Sequence, residues 1–442
     1  MLHINRKEVA VPSVQQALDV LSFHNSRVGI PLDLDRLLEY YAYYTLRADK
    51  LRKEVRTNIG LKSSEPLTPK VFKEWLAASG VKTGLQLTDK GTVSLAEESL
   101  QAAVLTGLYS DEVCSIIKIY MEAATSAKKV DSFMNILESG VISAAKTFDK
   151  HRMLMVKPVW SAQNTGRLGC SGPALMNIAH DVKDIQTVPE GYVFREIDSG
   201  QIEPRIIQSI LIRDPQLKKC TMMYNDAYYG YVHYCTYLSN EERASGTLDI
   251  RPVELSDEVV AKRKNFKTMG NAVMYGSTEN KQHDADKDAF IRYIGNHPNR
   301  IALQQEIENK IDRGIRVFYT AFGTPIDITK GPSEAKYTDK KSNAYRAHLI
   351  RCAINNPIQG TAADLMRVSV LKAHKLLQEY APHSMILKYT HDSGTFMVRE
   401  DEIDKIDEEL CGITSYQVDD WIPIYGDCIK EINREGKLRR YV

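Results

Sequence analysis

The sequence predicts a fold of the α+β class, in which long helices accompany a small antiparallel sheet. Apolar residues recur at helical spacing within 14–60, and 108–138 has the pattern of one long helix. Residues 192–197 are rich in β-branched and aromatic side chains, as in a short strand. Further along, two apolar stretches within 385–398 flank His-Asp-Ser-Gly, a turn sequence that predicts a β-hairpin.

Composition narrows the class of protein without deciding its function. The chain has 442 residues, of which 43% are hydrophobic and 26% charged, which indicates a globular protein with a large core. No run of about 18 apolar residues occurs, so we expect neither a membrane span nor a membrane partner. The seven cysteines are scattered and form no Cys-x-x-Cys, which favours a reducing compartment. The net charge of +1 argues neither for nor against nucleic acid.

Asp198 has the most informative position in the chain. It ends the predicted strand, and Ser199 and Gly200 separate it from apolar residues at helical spacing, from Ile202 to Ile210. Asp198 should therefore lie at the rim of a sheet, where a carboxylate can hold a hard cation. The alternative is that Asp198 only caps the following helix.

The segment from Asp198 to Arg205 has the pattern Asp-x-x-Gln-Ile-Glu-x-Arg, which resembles motif A of the DNA polymerase I family (family A). The resemblance implies that Asp198 binds both catalytic metals, with Ser199 as a further metal ligand. It also implies that Gln201 and Glu203 contact the nucleotide and that Glu203 excludes ribonucleotides. The fold it implies is a right-hand polymerase, with an antiparallel-sheet palm and largely helical thumb and fingers.

The same resemblance implies an order of subdomains along the chain. We expect an N-terminal segment and thumb at 1–150, the first part of the palm at 151–240, the fingers at 241–345 and the second part of the palm at 346–442. There is no room for about 150 further residues of a proofreading exonuclease domain. We therefore expect a phage-like, polymerase-only chain or a truncated one, without proofreading of its own. A separate exonuclease or processivity factor would be a partner, in the cytoplasm of a bacterial or phage-infected cell.

Motif B of the family is matched by 263–276. Its fixed positions, Arg263, Lys267, Asn271 and Tyr275, step by four residues, so they share one slowly drifting helix face. Arg263 and Lys267 suit nucleotide phosphates, since charge-assisted bonds to phosphate are strong. Lys267 could also give a proton to the departing pyrophosphate. A solvated cationic helix is the alternative, but it does not explain the register that ends in Tyr-Gly.

Asn271 departs from the family pattern. Family members usually carry Phe or Tyr there, packed on the sugar of the incoming nucleotide. Discrimination at the 3′ position of the sugar is therefore an open point, although the resemblance still places Asn271 and Tyr275 at the nucleotide.

Three residues between the first helices and motif B also match the family. Thr-Gly-Arg-Leu at 165–168 and Asn-Ile at 177–178 resemble a family segment, which implies that Arg167 reaches the minor groove at the primer terminus and Asn177 contacts DNA. His233 matches a histidine that touches the triphosphate. The alternatives are a surface arginine for Arg167 and a packed or capping histidine for His233.

The last two motifs lie in the C-terminal third of the chain. Residues 351–364 closely resemble a family segment in which Arg351, Asn355 and Gln359 contact primer and template. Motif C supplies His391, expected at the DNA, and Asp392, expected at the metals. The family usually has Glu where Ser393 stands here, and His-Asp-Ser is instead typical of single-subunit RNA polymerases.

Together these motifs predict a template-directed DNA polymerase that adds dNTPs to the 3′-hydroxyl of a primer–template DNA and releases pyrophosphate. Asp198 and Asp392 would hold two Mg²⁺ roughly 3.5–4 Å apart, with Mn²⁺ able to substitute. One alternative is a relative of single-subunit RNA polymerases that uses NTPs. The other is a non-catalytic DNA-binding accessory protein on a polymerase fold.

Overall fold

A computed structural model describes residues 1–62, 64–81, 85, 93–147, 149–173, 175–245, 251–274, 285–331, 334 and 337–430. Long helices accompany small sheets in these residues, which confirms the α+β class. The α-helices are, in chain order, α1 Val14–Arg27, α2 Leu34–Asn58, α3 Pro69–Ala78, α4 Glu97–Leu105, α5 Asp111–Ser139, α6 Ile202–Ile206, α7 Pro215–Tyr224, α8 Ala227–Val232, α9 Asn240–Ser245, α10 Asp257–Met274, α11 Ala285–Phe290, α12 Pro298–Asp312, α13 Asn343–Tyr380 and α14 Ile403–Cys411. The chain continues as π-helical turns after α6, α8 and α11, at Ile207–Ile212, His233–Tyr237 and Ile291–Gly295.

The strands form several small sheets. They are β1 Leu2–Ile4, β2 Ile30–Asp33, β3 Gly140–Lys146, β4 Arg152–Val156, β5 Val159–Ala162, β6 Leu168–Ser171, β7 Tyr192–Ser199, β8 Val317–Tyr319, β9 Pro325–Asp327, β10 Met385–Tyr389, β11 Ser393–Arg399, β12 Tyr416–Val418 and β13 Gly426–Lys430. The largest sheet is antiparallel and has the order β10-β11-β7-β13. The hairpin expected at 385–398 is its β10–β11 pair.

The chain divides into two compact units. The first contains 1–30, 159–171 and 191–442, and the second contains 31–158 and 172–190. Most of the residues expected in a thumb belong to the second unit, whereas those expected in the palm and fingers belong mainly to the first. The boundary between palm and fingers stays a prediction.

The second unit is built around two long helices, α2 and α5. Asp33 caps α2 and Ser110 caps α5, because each side chain accepts a hydrogen bond from a main-chain N–H of the first helical turn. Phe72 of α3 is fully buried and stacks on Tyr120 of α5 at a centroid distance of 3.6 Å. The long helix predicted at 108–138 is α5.

The first unit is organised by β7 and by α13, a helix of 38 residues. Successive side chains of a strand point to opposite faces of the sheet. On one face, Ile197 is fully buried in the core, and the Ser199 hydroxyl donates to the carbonyl of Thr414 and lies 3.7 Å from Met366 Sδ of α13. Asp198 is therefore directed to the other face, away from this core.

None of the helices in the described part of the chain is long and apolar enough to cross a membrane.

Candidate active site

Two aspartates meet at the rim of the main sheet. Asp198 lies one residue from the end of β7, opposite Ser393 of β11 and position 427 of β13. Asp392 immediately precedes β11, and its carbonyl accepts a hydrogen bond from the Ser199 N–H at 2.6 Å. The fold thus brings together two residues that are far apart in sequence, as predicted. The N-cap residue of α6 is Gln201, so Asp198 is not the cap of that helix.

The surroundings of Asp392 shift the ionisation of both turn residues. Partial loss of solvent raises the pKa of the Asp392 carboxyl, and the negative charge of Glu196 raises it further. The charges of His391 and Arg167 lower it. Burial and the charge of Arg167 lower the pKa of His391, against the opposing charge of Asp392. The net effect favours the neutral form of the His391 imidazole.

The donor set at this rim fits a divalent cation that prefers oxygen. Asp198 and Asp392 supply two carboxylates, the ligand type that Mg²⁺ favours. The hydroxyl of Ser199 is buried on the opposite face and donates to Thr414, so any ligand from Ser199 would have to be its main-chain carbonyl. Within the described residues, no group of three or more His, Cys, Asp or Glu could hold a metal ion. The family usually has a glutamate at the position of Ser393, so this chain has one carboxylate fewer at the rim than the family pattern implies.

Arg167 and Glu203, predicted for the primer terminus and for the sugar, form an ion pair with each other. Both side chains are largely buried, with 14% and 19% of their surface exposed. The resemblance to the family also implies a contact between Glu203 and Tyr275, but Tyr275 lies outside the described residues. The ion pair links the loop before β6 to α6, which carries the second half of motif A.

A buried ion pair holds the loop that carries Arg167. Arg367 of α13 pairs with Asp364, and it also donates to the carbonyl of Pro12 at 2.9 Å and contacts the carbonyl of Gly166 at 3.5 Å. Gly166 has a φ of +77°, and a Cβ at this position would collide with Arg367 Nη1. The hydroxyl of Thr320 donates to Asp364 at 2.6 Å. The carboxylate of Asp364 is thus occupied by Arg367 and Thr320 inside the core.

Replacing Arg367 by methionine is expected to lower the free energy of unfolding by about 3–5 kcal/mol. The change leaves the fully buried carboxylate of Asp364 without its cation. Denaturant unfolding would measure the loss, with the Asp364→Asn/Arg367→Met double variant as the comparison, because it removes the stranded charge. A double variant no more stable than Arg367→Met would contradict this explanation.

Motif B lies on a helix, as its spacing predicted. On α10, Lys267 is exposed, whereas the half-buried Arg263 donates to Asp226 from Nε at 3.0 Å and from Nη2 at 2.6 Å. The amide of Gln201 donates to the same carboxylate at 2.5 Å. Sequence reasoning missed Asp226, whose only local signal is that of a helix cap for α8. The side chain of Asn271 and all of Tyr275 lie outside the described residues.

His233 lies in a packed environment at the first position of a π-helical turn. Only 3% of its surface is exposed, and its Nδ1 is 2.8 Å from the hydroxyl of Tyr224. Burial lowers the pKa of His233, and the charge of Glu242 opposes this effect. These contacts agree with the packed alternative, and the predicted contact with a triphosphate stays a prediction.

Three of the four remaining predicted DNA contacts share one face of α13. Arg351, Asn355 and Gln359 are spaced by four residues and are exposed or half-buried, while Ala353 and Ile354 between them are buried. The fourth, Asn177, belongs to the second unit and ends a short 3-10 helix, and its side chain is not described.

Comparisons with known proteins agree with this architecture. The DNA polymerase I of Pseudomonas aeruginosa is 26% identical over 260 residues, which are 56% of this chain and 26% of that protein. The DNA polymerase I of Aquifex aeolicus is 22% identical over 382 residues, or 86% of this chain and 59% of that protein. The chain thus spans only part of these curated relatives.

A solved structure has the same fold. It is the polymerase domain of Pol1 from M. smegmatis, in complex with DNA primer-template and dNTP. The match has a TM-score of 0.70 and 19% sequence identity, and it covers 94% of this chain and 68% of the other. The sequence model of DNA polymerase family A matches residues 35–419, well over half of the chain. The chain therefore belongs to DNA polymerase family A.

Proposed function

We propose that this chain is a template-directed DNA polymerase, which extends a primer 3′-hydroxyl with dNTPs and releases pyrophosphate. The observation that carries the proposal is the meeting of Asp198 and Asp392 at one sheet rim, in the same compact unit as the cationic helix α10. Family membership and the similarity to a polymerase domain solved with primer-template and dNTP support it.

The carboxylates of Asp198 and Asp392, with the carbonyl of Ser199, would hold two Mg²⁺, and Mn²⁺ could substitute. When bound, the ions would lower the pKa of the primer 3′-hydroxyl and neutralise negative charge on the leaving pyrophosphate. Lys267 is exposed to solvent on α10 and can donate to the phosphates, or protonate the leaving group, without first breaking a buried contact. Arg167 can position the primer terminus and Glu203 the sugar.

Lys267→Ala is expected to weaken nucleotide binding and to slow the chemical step by about 10²-fold, because charge on the pyrophosphate grows in the transition state. Single-turnover kinetics would separate the two effects. Lys262→Ala is the matched control, since Lys262 lies five residues from Lys267, on a different face of α10, and pairs with Glu258 at 3.0 Å. Lys267→Arg should restore only part of the rate, because guanidinium is a wider donor than ammonium. Unchanged kinetics in Lys267→Ala would indicate that Lys267 is only a solvated surface lysine without a role at the nucleotide.

Primer extension with Mg²⁺ and separated nucleotide sets tests the proposed function. We expect extension with dNTPs. The second candidate is RNA synthesis, which is favoured by Ser393, a buried residue whose hydroxyl is 2.6 Å from that of Thr390. Extension with NTPs alone would support this second candidate, and folded protein that binds DNA but extends no primer would support an accessory role.

We also propose that this chain does not remove a mismatched primer end itself. The purified protein should leave a labelled, mismatched primer intact in Mg²⁺ without nucleotides, and shortening that copurifies with extension activity would contradict this. A separate exonuclease or processivity factor, and a cytoplasmic location, stay predictions.

A further inference from the structure

Asp226 collects four donors around one carboxylate. Its Oδ1 accepts from the main-chain N–H of Tyr229, which caps α8. Its Oδ2 accepts from the amide of Gln201 and from two nitrogens of Arg263. Two residues predicted to contact the incoming nucleotide, one in motif A and one in motif B, are thus held by a single acidic side chain.

Two tyrosine rings and the carboxylate of Asp226 surround the guanidinium of Arg263. It lies over the rings of Tyr229 and Tyr228, at 5.1 and 5.7 Å from their centroids. Burial works against its charge, but the hydrogen bonds and charge of Asp226 outweigh that effect and raise the pKa of Arg263. Because a carboxylate and a phosphate oxygen use the same nitrogens, Arg263 cannot keep its bidentate contact with Asp226 and also give those nitrogens to a nucleotide.

We propose that Asp226 is an internal competitor of the nucleotide triphosphate for Arg263 and so sets the affinity for the incoming nucleotide. This inference rests on the proposed function only in taking the displacing anion to be a nucleotide. A protein whose binding-competent form is a fraction of the total binds its ligand more weakly by that fraction. The Arg263–Asp226 contact must open for every nucleotide, so it weakens the binding of matched and mismatched nucleotides by the same factor.

Asp226→Asn tests the competition while keeping the cap of α8. Asparagine also caps helices, and its Oδ1 can still accept from the main-chain N–H of Tyr229, whereas its amide nitrogen replaces the oxygen that accepts from Arg263 and Gln201. We expect the dissociation constant for the correct dNTP to fall about tenfold, with a similar fall for a mismatched one. The maximal single-turnover rate should stay within about twofold.

Asp312→Asn is the matched control, because Asp312 forms a similar two-pronged pair with Arg346, with distances of 2.8 and 2.9 Å, on an exposed surface. A purely structural role for Asp226 predicts the opposite of our expectation, namely weaker nucleotide binding together with a slower step. That result, or an unchanged dissociation constant in a folded Asp226→Asn variant, would overturn the proposal.

A second measurement separates this inference from the proposed function. Calorimetric titration of inorganic tripolyphosphate, without DNA or metal, reports anion binding whether or not the chain extends primers. Asp226→Asn should bind tripolyphosphate more tightly than the wild type. In the Arg263→Ala background, proteins with Asp226 and with Asp226→Asn should bind it equally. If the gain persists without Arg263, Asp226 acts by general charge repulsion and the proposed competition is wrong.

Discussion

Asp198→Ala is expected to reduce primer extension by on the order of 10³-fold or more, with DNA affinity nearly unchanged. The substitution removes one of the two carboxylates at the rim of β7 and β11, and each ion that they are proposed to hold would supply several kcal/mol of transition-state charge stabilisation. Affinity for duplex DNA is spread over many phosphate contacts, so one rim carboxylate contributes little to it. Extension assays in Mg²⁺ and fluorescence anisotropy with labelled primer–template would measure the two quantities.

Asp392→Ala should give the same result, because Asp392 is the second carboxylate of the pair. Asp404→Ala is a suitable control, since Asp404 is an exposed carboxylate on α14 and is not part of the rim pair. Circular dichroism would show that each variant is folded. Substantial extension by either rim variant would exclude the two-metal assignment, and equal loss in Asp404→Ala would point to instability instead.

Local patterns in the sequence were sufficient for the elements that carry the site. The β-branched run before Asp198 is β7, the four-residue steps from Arg263 lie on α10, and the turn around Asp392 joins β10 and β11. Each of these elements has a periodicity or a turn signal within a short stretch. The meeting of Asp198 and Asp392 was inferred from the family resemblance, because strand pairing between distant segments has no local signal.

The contacts that hold the site in place were not predictable in this way. Arg367 follows Asp364 by three residues, a spacing that allows a pair on one helix, but only the folded chain shows its contacts with Pro12 and Gly166. Asp226 has the signal of an ordinary helix cap, and nothing local indicates that it also binds Arg263. Side-chain pairs between distant segments depend on packing, which the sequence pattern alone does not fix.

The ion pair between Glu203 and Arg167 sharpens the prediction for the sugar. Glu203 lies at the start of α6, five residues after Asp198, so its side chain should face the sugar of a nucleotide whose phosphates are at the rim. Arg167 would hold the Glu203 carboxylate in place before a nucleotide binds. Arg205 is engaged elsewhere, since its guanidinium donates to the carbonyls of Pro423 and Asn225 at 2.6 Å. A fixed side chain packed against C2′ leaves no space for a hydroxyl.

Glu203→Ala should therefore raise the use of ribonucleotides relative to deoxynucleotides by on the order of 10²-fold, because relief of a steric clash can be worth several kcal/mol. Deoxynucleotide use should fall by a smaller factor, since Arg167 loses its partner.

Glu203→Gln is the informative control, because it keeps the volume of the side chain and removes its charge. If the volume excludes the hydroxyl, Glu203→Gln retains most of the discrimination in competing dNTP and NTP extension assays. If Glu203→Ala and Glu203→Gln change the preference for deoxynucleotides equally, the ion pair with Arg167, rather than the volume of the side chain, selects the sugar. An unchanged preference in Glu203→Ala, or a wild type that accepts both sugars equally, would remove Glu203 from sugar selection and favour RNA synthesis.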